Sequence, residues 1–304
     1  MKKQHLALDI HDLTKIYPNG TEALKWVTFS IEKWDFFALL GPNGAGKSTT
    51  IGIISGLVNK SSGEVIIGGH NLDTSGAEAR MGVGVVPQDF NFGIFEKPYD
   101  IVMAQAGYYG ISREEAKPNV EKYLRALGLW EKWDVQARTL SGGMKRRLMI
   151  ARALVHDPHI LILDEPTAGV DLELRLGMYD FLRELNQSGT TIILTTHYLE
   201  EAESLCRNVA IIDKGTIVRS GSMRELLASM EDEVVSVELD KVWKWDTLEQ
   251  YHPSPEDTTL DLTISSAYPL DEAIKILQSG GYKIKSIKPK SGRLEEFFLK
   301  STGK

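Results

Sequence analysis

The chain of 304 residues is long enough for two hydrophobic cores, and its composition, 42% hydrophobic and 25% charged, is that of an ordinary folded protein. Its formal net charge of −7 argues against a broad nucleic-acid surface, so we expect no nucleic-acid partner. The longest apolar runs fall far short of the roughly 18 residues that a membrane-spanning helix needs, and we expect no signal peptide at the start of the chain.

The first elements predicted along the chain are two short antiparallel strands, residues 6–16 and 23–31. Pro18, Asn19 and Gly20 form a turn sequence between them. The apolar run at residues 36–40 then ends in a glycine-rich segment, after which apolar residues recur at helical spacing. This part of the sequence predicts a strand, a glycine loop and a helix in succession.

Further along, compact apolar runs alternate with segments of helical periodicity. The runs have the length of buried strands and lie at residues 82–86, 160–163, 191–195 and 208–212. The helical segments are residues 114–127 and 172–187. Continuous apolar strands that alternate with helices favour an α/β fold with a mainly parallel sheet covered on both faces.

The pattern changes after about residue 229. The remaining sequence predicts a small α+β appendix whose elements are strands at residues 233–239, 260–264 and 282–287 and a helix at 269–278. Acidic residues and two prolines indicate a loop at residues 243–257. We therefore predict two domains, residues 1–229 and 230–304.

The glycine-rich segment after the third predicted strand fits a phosphate-binding loop in both spacing and context. Lys47 is expected to neutralise the β- and γ-phosphates, and the Ser48 hydroxyl to ligate Mg²⁺. Main-chain amides between Asn43 and Thr49 should surround the phosphates. The predicted nucleotide-binding residues of this loop are Gly41, Pro42, Asn43, Gly44, Ala45, Gly46, Lys47, Ser48 and Thr49.

Polar side chains follow three other predicted strands. Asp164 and Glu165 end one of them, where Asp164 can hold a metal ion through water and Glu165 can polarise the water that attacks a phosphate. His197 follows a second strand and can contact the γ-phosphate, and Gln88 follows a third, where its amide can sense metal and water. The alternatives are two solvated acids at a strand end and a surface histidine.

A second anion site is indicated by Leu140-Ser141-Gly142-Gly143-Met144 at the start of another helix. Ser141 is a good helix N-cap, and two glycines leave the first main-chain amides accessible to a phosphate. The alternative is an ordinary capped helix after a glycine turn. Tyr17, before the first turn, offers a flat face to an adenine or is simply an edge-strand tyrosine.

Taken in chain order, these motifs resemble those of ATP-binding-cassette ATPases, and the resemblance covers roughly the first 225 residues. Ser141 to Arg147 and Thr196 to Glu203 are similar to the ATPase subunits of bacterial ABC-2 type exporters, whose partner is a separate membrane permease. Two positions depart from the family pattern: Met144 replaces a glutamine, and Trp34-Asp35 replaces a glycine turn.

The resemblance implies a head-to-tail homodimer in which Ser141, Gly142 and Gly143 of one copy close on ATP and Mg²⁺ held by the phosphate loop of the other. Asp171 would lie at the dimer interface, Tyr17 would stack on adenine, and Lys47, Gln88, Glu165 and His197 would act in catalysis. Gln88 would also contact Mg²⁺ with Ser48 and Asp164.

The resemblance also implies a helical subdomain at about residues 90–158 and a position at the cytoplasmic face of the cell membrane, through the permease. Aromatic residues in this subdomain are either a docking surface for the permease or internal packing: Phe90, Phe92, Phe95, Tyr99, Tyr108 and Tyr109. The expected function is therefore an ATPase that drives an export pump. The alternative is a soluble cassette ATPase of translation or DNA repair, but the chain has one cassette and no coiled-coil heptads.

Overall fold

The computed structural model describes residues 5–167, 172–196, 198–228, 232–244, 248–265 and 267–289, with Leu294 and Phe298. The chain divides into two compact units, Met1–Gly221 and Ser222–Lys304. The division lies eight residues before the predicted boundary, since the second unit begins at Ser222 and not at residue 230.

The first unit alternates strands and helices after an antiparallel start. Its elements are β1 (Leu6–Ile16), β2 (Glu22–Glu32), β3 (Phe36–Leu40), α1 (Lys47–Ile54), β4 (Ser62–Ile67), β5 (His70–Asn71), α2 (Gly76–Met81), β6 (Val83–Val86), α3 (Pro98–Tyr108), α4 (Arg113–Ala126), α5 (Gly142–Leu154), β7 (Ile160–Asp164), α6 (Leu172–Gln187), β8 (Thr191–Thr195), α7 (Leu199–Leu205), β9 (Asn208–Asp213) and β10 (Thr216–Ser222). Short 3₁₀ turns at Trp130–Lys132 and Ala137–Thr139 connect α4 to α5.

A six-stranded sheet in the order β10-β9-β3-β8-β7-β6 forms the centre of this unit. β3 pairs in parallel with β8 and β9, and β7 pairs in parallel with β6 and β8. All five residues of β3 are buried, as expected for a strand covered on both faces. The predicted parallel α/β fold is therefore confirmed, and the carboxyl ends of the five parallel strands meet at one edge of the sheet.

The antiparallel sheet, in the order β2-β1-β4-β5, shares a hydrophobic core with the central sheet. Phe29 of β2 stacks on Phe37 of β3 with ring centroids 5.7 Å apart. Ile51, Ile53 and Ile54 of α1 fill the same core. Helix α1, which carries the end of the phosphate loop, is thus fixed between the two sheets.

The helices α3, α4 and α5 form a separate layer that packs against β6. Ser112 caps α4 with a reciprocal capping box to Glu115. At Gly84 of β6 an added Cβ would lie 2.3 Å from the carbonyl oxygen of Ala153, so the end of α5 touches the strand backbone.

The turn between β2 and β3 explains why a glycine is usual where this chain has Trp34. The backbone of Trp34 is left-handed, with φ of 65°, a conformation that residues other than glycine rarely adopt. Its amide donates to Thr191 Oγ1 at 2.9 Å, and its carbonyl accepts from Asn186 Nδ2 at 3.0 Å. These side-chain bonds hold the strained residue in place.

The second unit is an α+β domain, as predicted. Its elements are α8 (Met223–Ala228), β11 (Asp232–Leu239), β12 (Ser254–Glu256), β13 (Thr259–Ser265), α9 (Leu270–Ser279) and β14 (Ile284–Pro289), with the strand order β12-β13-β11-β14. Its own core includes Val237, Leu260, Leu262 and Leu277.

The predicted loop at residues 243–257 is wrong in part. Its middle forms a 3₁₀ turn at Glu249–Tyr251, and Leu248 and Tyr251 are fully buried in the core of the second unit. Its end forms β12, which pairs with β13 at the sheet edge, where Pro255 needs no amide hydrogen. The acidic residues and prolines of this segment indicate a loop, so its composition did not predict the buried Leu248 and Tyr251 or the edge strand β12.

Candidate nucleotide site

The phosphate loop lies between β3 and α1, and two of its glycines, Gly41 and Gly46, have neighbours too close for a side chain. A Cβ on Gly41 would lie 2.3 Å from the carbonyl oxygen of Ile212. Gly46, at the N-cap of α1, has a φ of 115°, and a Cβ there would lie 2.7 Å from Leu24 Cδ2. The loop backbone therefore packs directly on β9 and β2.

Lys47 is held inside this loop before any nucleotide contact. Its side-chain amine donates to the carbonyl oxygens of Gly41 at 2.6 Å and Pro42 at 3.1 Å, and the residue is only 6% exposed. Burial lowers the pKa of the ammonium, and the carboxylates of Glu165 and Asp164 oppose that shift. A phosphate placed in the loop would meet a fixed positive charge.

The acid pair at the end of β7 is fixed by the neighbouring strand β8. In the parallel register Asp164 lies opposite Thr195, whose hydroxyl donates to Asp164 Oδ1 at 2.5 Å. Burial raises the pKa of Asp164, and this hydrogen bond opposes the rise. The amide of Glu165 donates to the Thr195 carbonyl oxygen at 3.0 Å.

Glu165 adopts a left-handed conformation with φ of 48°, which is uncommon for a residue with a side chain. Such strain persists where the surroundings over-determine the backbone, and it is concentrated at functional sites. Its Oε2 accepts a hydrogen bond from Gln88 Nε2 at 3.0 Å, although the two residues follow different strands. The structure thus brings the Gln88 amide together with the carboxylates of Asp164 and Glu165. The Lys47 ammonium interacts electrostatically with both carboxylates.

Three predicted metal ligands, Ser48, Asp164 and Gln88, provide oxygen atoms of the kind that Mg²⁺ prefers. Ser48 is exposed at the start of α1, so its hydroxyl is accessible. Among the described residues, no cluster of three or more His, Cys, Asp or Glu side chains is arranged to hold a metal ion by itself.

Tyr17 lies beside the start of α1. Its hydroxyl is 3.4 Å from Thr49 Oγ1, and the Lys15 ammonium lies 4.9 Å from its ring centroid. The ring therefore borders the phosphate loop, which is compatible with the predicted contact to an adenine.

The second predicted anion site caps α5. Ser141 has extended backbone angles, and its Oγ accepts the amide hydrogen of Met144 at 3.3 Å, as expected for an N-cap. Ser141 and Gly142 are exposed, and a Cβ on Gly142 would meet nothing within 4 Å. The Met144 side chain has no part in this cap, since the contact uses its main chain.

The aromatic residues of the helical layer divide into two groups. Tyr99 packs on Trp133 with ring centroids 5.6 Å apart, and Tyr109 stacks on His156 at 3.5 Å, so both belong to internal packing. Phe90, Phe95 and Tyr108 are exposed by 44%, 66% and 86%.

Two predicted site residues, His197 and Asp171, lie outside the described residues. Two further residues that contact the site, Thr195 and Arg146, were not predicted from the sequence. Thr195 could have been found from the polar residue that ends the buried strand next to Asp164. Arg146 reaches the carbonyl oxygens of Pro87 and Gln88, and nothing in the helical pattern of α5 singles it out.

Among the described residues, no helix is both long and apolar enough to cross a bilayer. The family described as "ABC transporter" matches residues 24–168. The linearmycin resistance ATP-binding protein LnrL of Bacillus subtilis is 39% identical over 228 residues, which cover 75% of this chain and 73% of that protein. The Nod factor export ATP-binding protein I of Cupriavidus metallidurans is 36% identical over 98% of this chain and 97% of its own length.

Solved structures agree with these sequence matches. CbiO1 of Clostridium perfringens, part of an ABC transporter complex, superimposes with a TM-score of 0.67 and 31% identity over 74% of this chain and 92% of that one. The ATP-binding cassette MJ0796, solved as a dimer in a post-hydrolysis state with ADP and phosphate, gives a TM-score of 0.65 and 28% identity over 71% of this chain and 99% of that one. The chain therefore belongs to the ABC transporter family, as an ATP-binding subunit that hydrolyses ATP to power transport.

Proposed function

We propose that this ATPase works as the motor of an ABC-2 type exporter and that its catalytic site is the carboxyl edge of the central sheet. The observation that carries the proposal is the convergence there of Lys47, the Asp164–Thr195 pair and the Gln88–Glu165 hydrogen bond. The direction of transport is inferred from the two relatives, one named for export and one for resistance.

In this proposal each group has a distinct task. The loop amides and Lys47 hold the phosphates. Ser48, Asp164 and Gln88 would hold Mg²⁺ through their oxygen atoms, and the bound metal would supply positive charge to the phosphates. Glu165 accepts a proton from the attacking water as the γ-phosphate is displaced, and Gln88 orients the Glu165 carboxylate. His197 contacts the γ-phosphate, Tyr17 stacks on adenine, and Asp171 lies at the dimer interface.

The partners are a second copy of the chain and a separate membrane permease. The solved dimer of a similar cassette supports the first partner. The exposed Ser141–Gly142 cap supports it too, because amides at an accessible helix start suit a phosphate brought by another molecule. The permease would hold the chain at the cytoplasmic face of the membrane.

The exposed aromatic side chains of Phe90, Phe95 and Tyr108 are the proposed contact with the permease, since aromatics are enriched at interface centres. The helical subdomain at residues 90–158 would then receive the permease, and residues 230–304 would form an accessory domain. A soluble role in translation or DNA repair is not favoured, because the relatives are transporter subunits.

The test is Glu165→Gln, which removes the base and preserves the side-chain shape. We expect kcat for ATP to fall by about 10²- to 10⁴-fold, because general-base catalysis contributes roughly that much. ATP binding should persist, and ATP should shift the variant toward dimers on a sizing column, because hydrolysis no longer opens the closed state.

The matched control is Glu200→Gln on α7, an exposed acid outside the site, which should retain the wild-type kcat. Sustained ATP hydrolysis by the Glu165→Gln protein would contradict the assignment of the base.

A further inference from the structure

The segment that follows β6, residues 87–92, is held by side chains rather than by main-chain bonds. In the part of the chain that the structure describes, these residues take part in no backbone–backbone hydrogen bond outside regular elements. Gln88, Asp89, Phe90 and Asn91 are exposed. Backbone without main-chain partners takes its position from the side chains that reach it. The main chain at Gln88 is therefore positioned by the side chains that bind it.

Arg146 of α5 is the principal one. Its Nη1 donates to the Pro87 carbonyl oxygen and its Nη2 to the Gln88 carbonyl oxygen, each at 2.8 Å. The guanidinium lies 5.2 Å from the Phe90 ring centroid, and the residue is only 5% exposed. A planar fork with two parallel donors fixes the direction of both carbonyls, which a single charged amine does not.

Arg152, further along the same helix, binds the next part of the segment. Its Nη2 donates to Asn91 Oδ1 at 2.5 Å and its Nη1 to the Asn91 carbonyl oxygen at 3.3 Å. Two arginines of α5 thus contact Pro87, Gln88 and Asn91. No corresponding bond from β7 or β8 reaches this main chain among the described residues, although the Gln88 side chain donates to Glu165.

We propose that Arg146, assisted by Arg152, is a positioning residue that makes the Gln88 segment follow helix α5. The helix begins directly after Ser141, so a displacement of the Ser141–Gly143 turn by nucleotide is carried along α5 to the main chain of Gln88. The Gln88 amide, 3.0 Å from Glu165 Oε2, then moves with it. This inference rests on the proposed function, because it uses the roles given there to Gln88 and to the α5 cap.

A structural role alone would have a different signature. If Arg146 only stabilised the helical layer, its replacement would lower the melting temperature, and its effect on turnover would not depend on Gln88. If Arg146 acts through Gln88, its effect on turnover should largely disappear once the Gln88 amide is absent.

The experiment is a double-mutant cycle on the full chain with Mg·ATP. We expect Arg146→Met to lower kcat by about 10- to 100-fold, since a displacement of about 1 Å in a catalytic group can cost that much. The KM for ATP should change by less than about threefold, because the phosphate loop is untouched. In the Gln88→Ala background the same change should lower kcat by less than about threefold.

Two further variants provide the controls. Arg146→Lys keeps the charge and offers no fork, so its kcat should lie between those of the wild type and Arg146→Met, and it serves as the test should Arg146→Met fold poorly. Arg147→Lys alters the adjacent arginine, whose Nη1 donates to the Leu127 carbonyl oxygen at 3.0 Å within the helical layer. We expect its kcat to stay within about twofold of the wild type, because that bond does not reach the Gln88 segment.

Equal losses of kcat for Arg146→Met with and without Gln88 would overturn the inference and leave the proposed function intact. So would a wild-type kcat in a folded Arg146→Met protein. An unchanged kcat in Gln88→Ala alone would instead contradict the proposed role of Gln88, and this inference with it.

Discussion

His156 shows how a titratable side chain is held neutral at the boundary between the helical layer and the central sheet. Its ring stacks on Tyr109, and its Nε2 lies 3.3 Å from the carbonyl oxygen of Val83. Burial lowers its pKa to about 4, and the Val83 and Asp157 interactions only partly oppose the shift. The folded protein therefore binds this proton less tightly than the unfolded chain does.

This shift predicts a loss of stability in mild acid. The contribution of neutral His156 is complete above the unfolded pKa of about 6.5 and is lost as the pH falls toward about 4, at most about 3 kcal/mol because the ring is partly accessible. Urea unfolding at pH 7.5 and pH 5 should show a smaller difference in unfolding free energy for His156→Phe than for the wild type. The matched change His70→Phe, at an exposed position, should leave that difference as it is, and an equal effect of both would contradict the prediction.

The site shows which residues can be predicted from sequence and which cannot. Lys47 and Ser48 are recognisable because a phosphate loop is continuous in the chain, and its spacing carries its chemistry. Thr195 acquires its role only from strand register, which places it opposite Asp164. Arg146 acquires its role from a contact between α5 and a loop 58 residues away, a distance that local periodicity does not encode.

Among the elements, α5 and β6 show how backbone contact limits a side chain. Gly84 of β6 lies against the Ala153 carbonyl of α5, where an added Cβ would approach to 2.3 Å. We expect Gly84→Ala to lower the unfolding free energy by about 1 to 3 kcal/mol, since the strand and helix must separate to admit a methyl group.

The matched control for Gly84→Ala is Gly107→Ala within α3, where an added Cβ meets nothing within 4 Å and the helix favours alanine. We expect this variant to gain about 0.5 to 1 kcal/mol in a helix interior. Denaturant unfolding of both variants measures the two values, and a Gly84→Ala protein as stable as the wild type would show that the layer can shift freely.

Prediction from sequence succeeded for a long helix with clear apolar periodicity and failed for a short strand that forms only because it pairs with another strand. Helix α6 at Leu172–Gln187 has the bounds that its apolar periodicity predicts. Strand β12, only three residues long, exists because it pairs with β13, and its own composition indicates a loop. Tyr251 is fully buried although its neighbours in sequence are polar, because tertiary packing and not local pattern places it.

At the scale of the whole molecule, one copy of the chain carries two anion-binding ends that begin different helices. The phosphate loop precedes α1, in the core shared by the two sheets, and the Ser141 cap precedes α5, in the helical layer. In the proposed head-to-tail dimer, each ATP is bound by the first end of one copy and the second end of the other. The two motifs should then be separable by mutation.

Ser141→Arg tests this separation because the exposed cap has room for a long side chain that would obstruct a phosphate from another copy. We expect the variant to bind ATP as the wild type does and to lose hydrolysis. Ser141→Ala controls for the lost cap hydrogen bond to Met144, which should cost about 1 kcal/mol of stability, and it should retain more activity than Ser141→Arg. Loss of ATP binding in a folded Ser141→Arg protein would contradict the divided site.

Mixing two inactive variants extends the test to the dimer itself. Lys47→Ala removes the ammonium held at 2.6 Å from the Gly41 carbonyl, so it disables the phosphate loop, whereas Ser141→Arg disables the opposite end. In a mixed head-to-tail dimer both defects fall in one of the two sites, because the loop of one copy meets the cap of the other. The second site combines an intact loop with an intact cap, so the mixture should hydrolyse ATP although neither protein does so alone. If each site were built within a single copy, every site in the mixture would carry one defect and the activity would stay at the level of the separate variants.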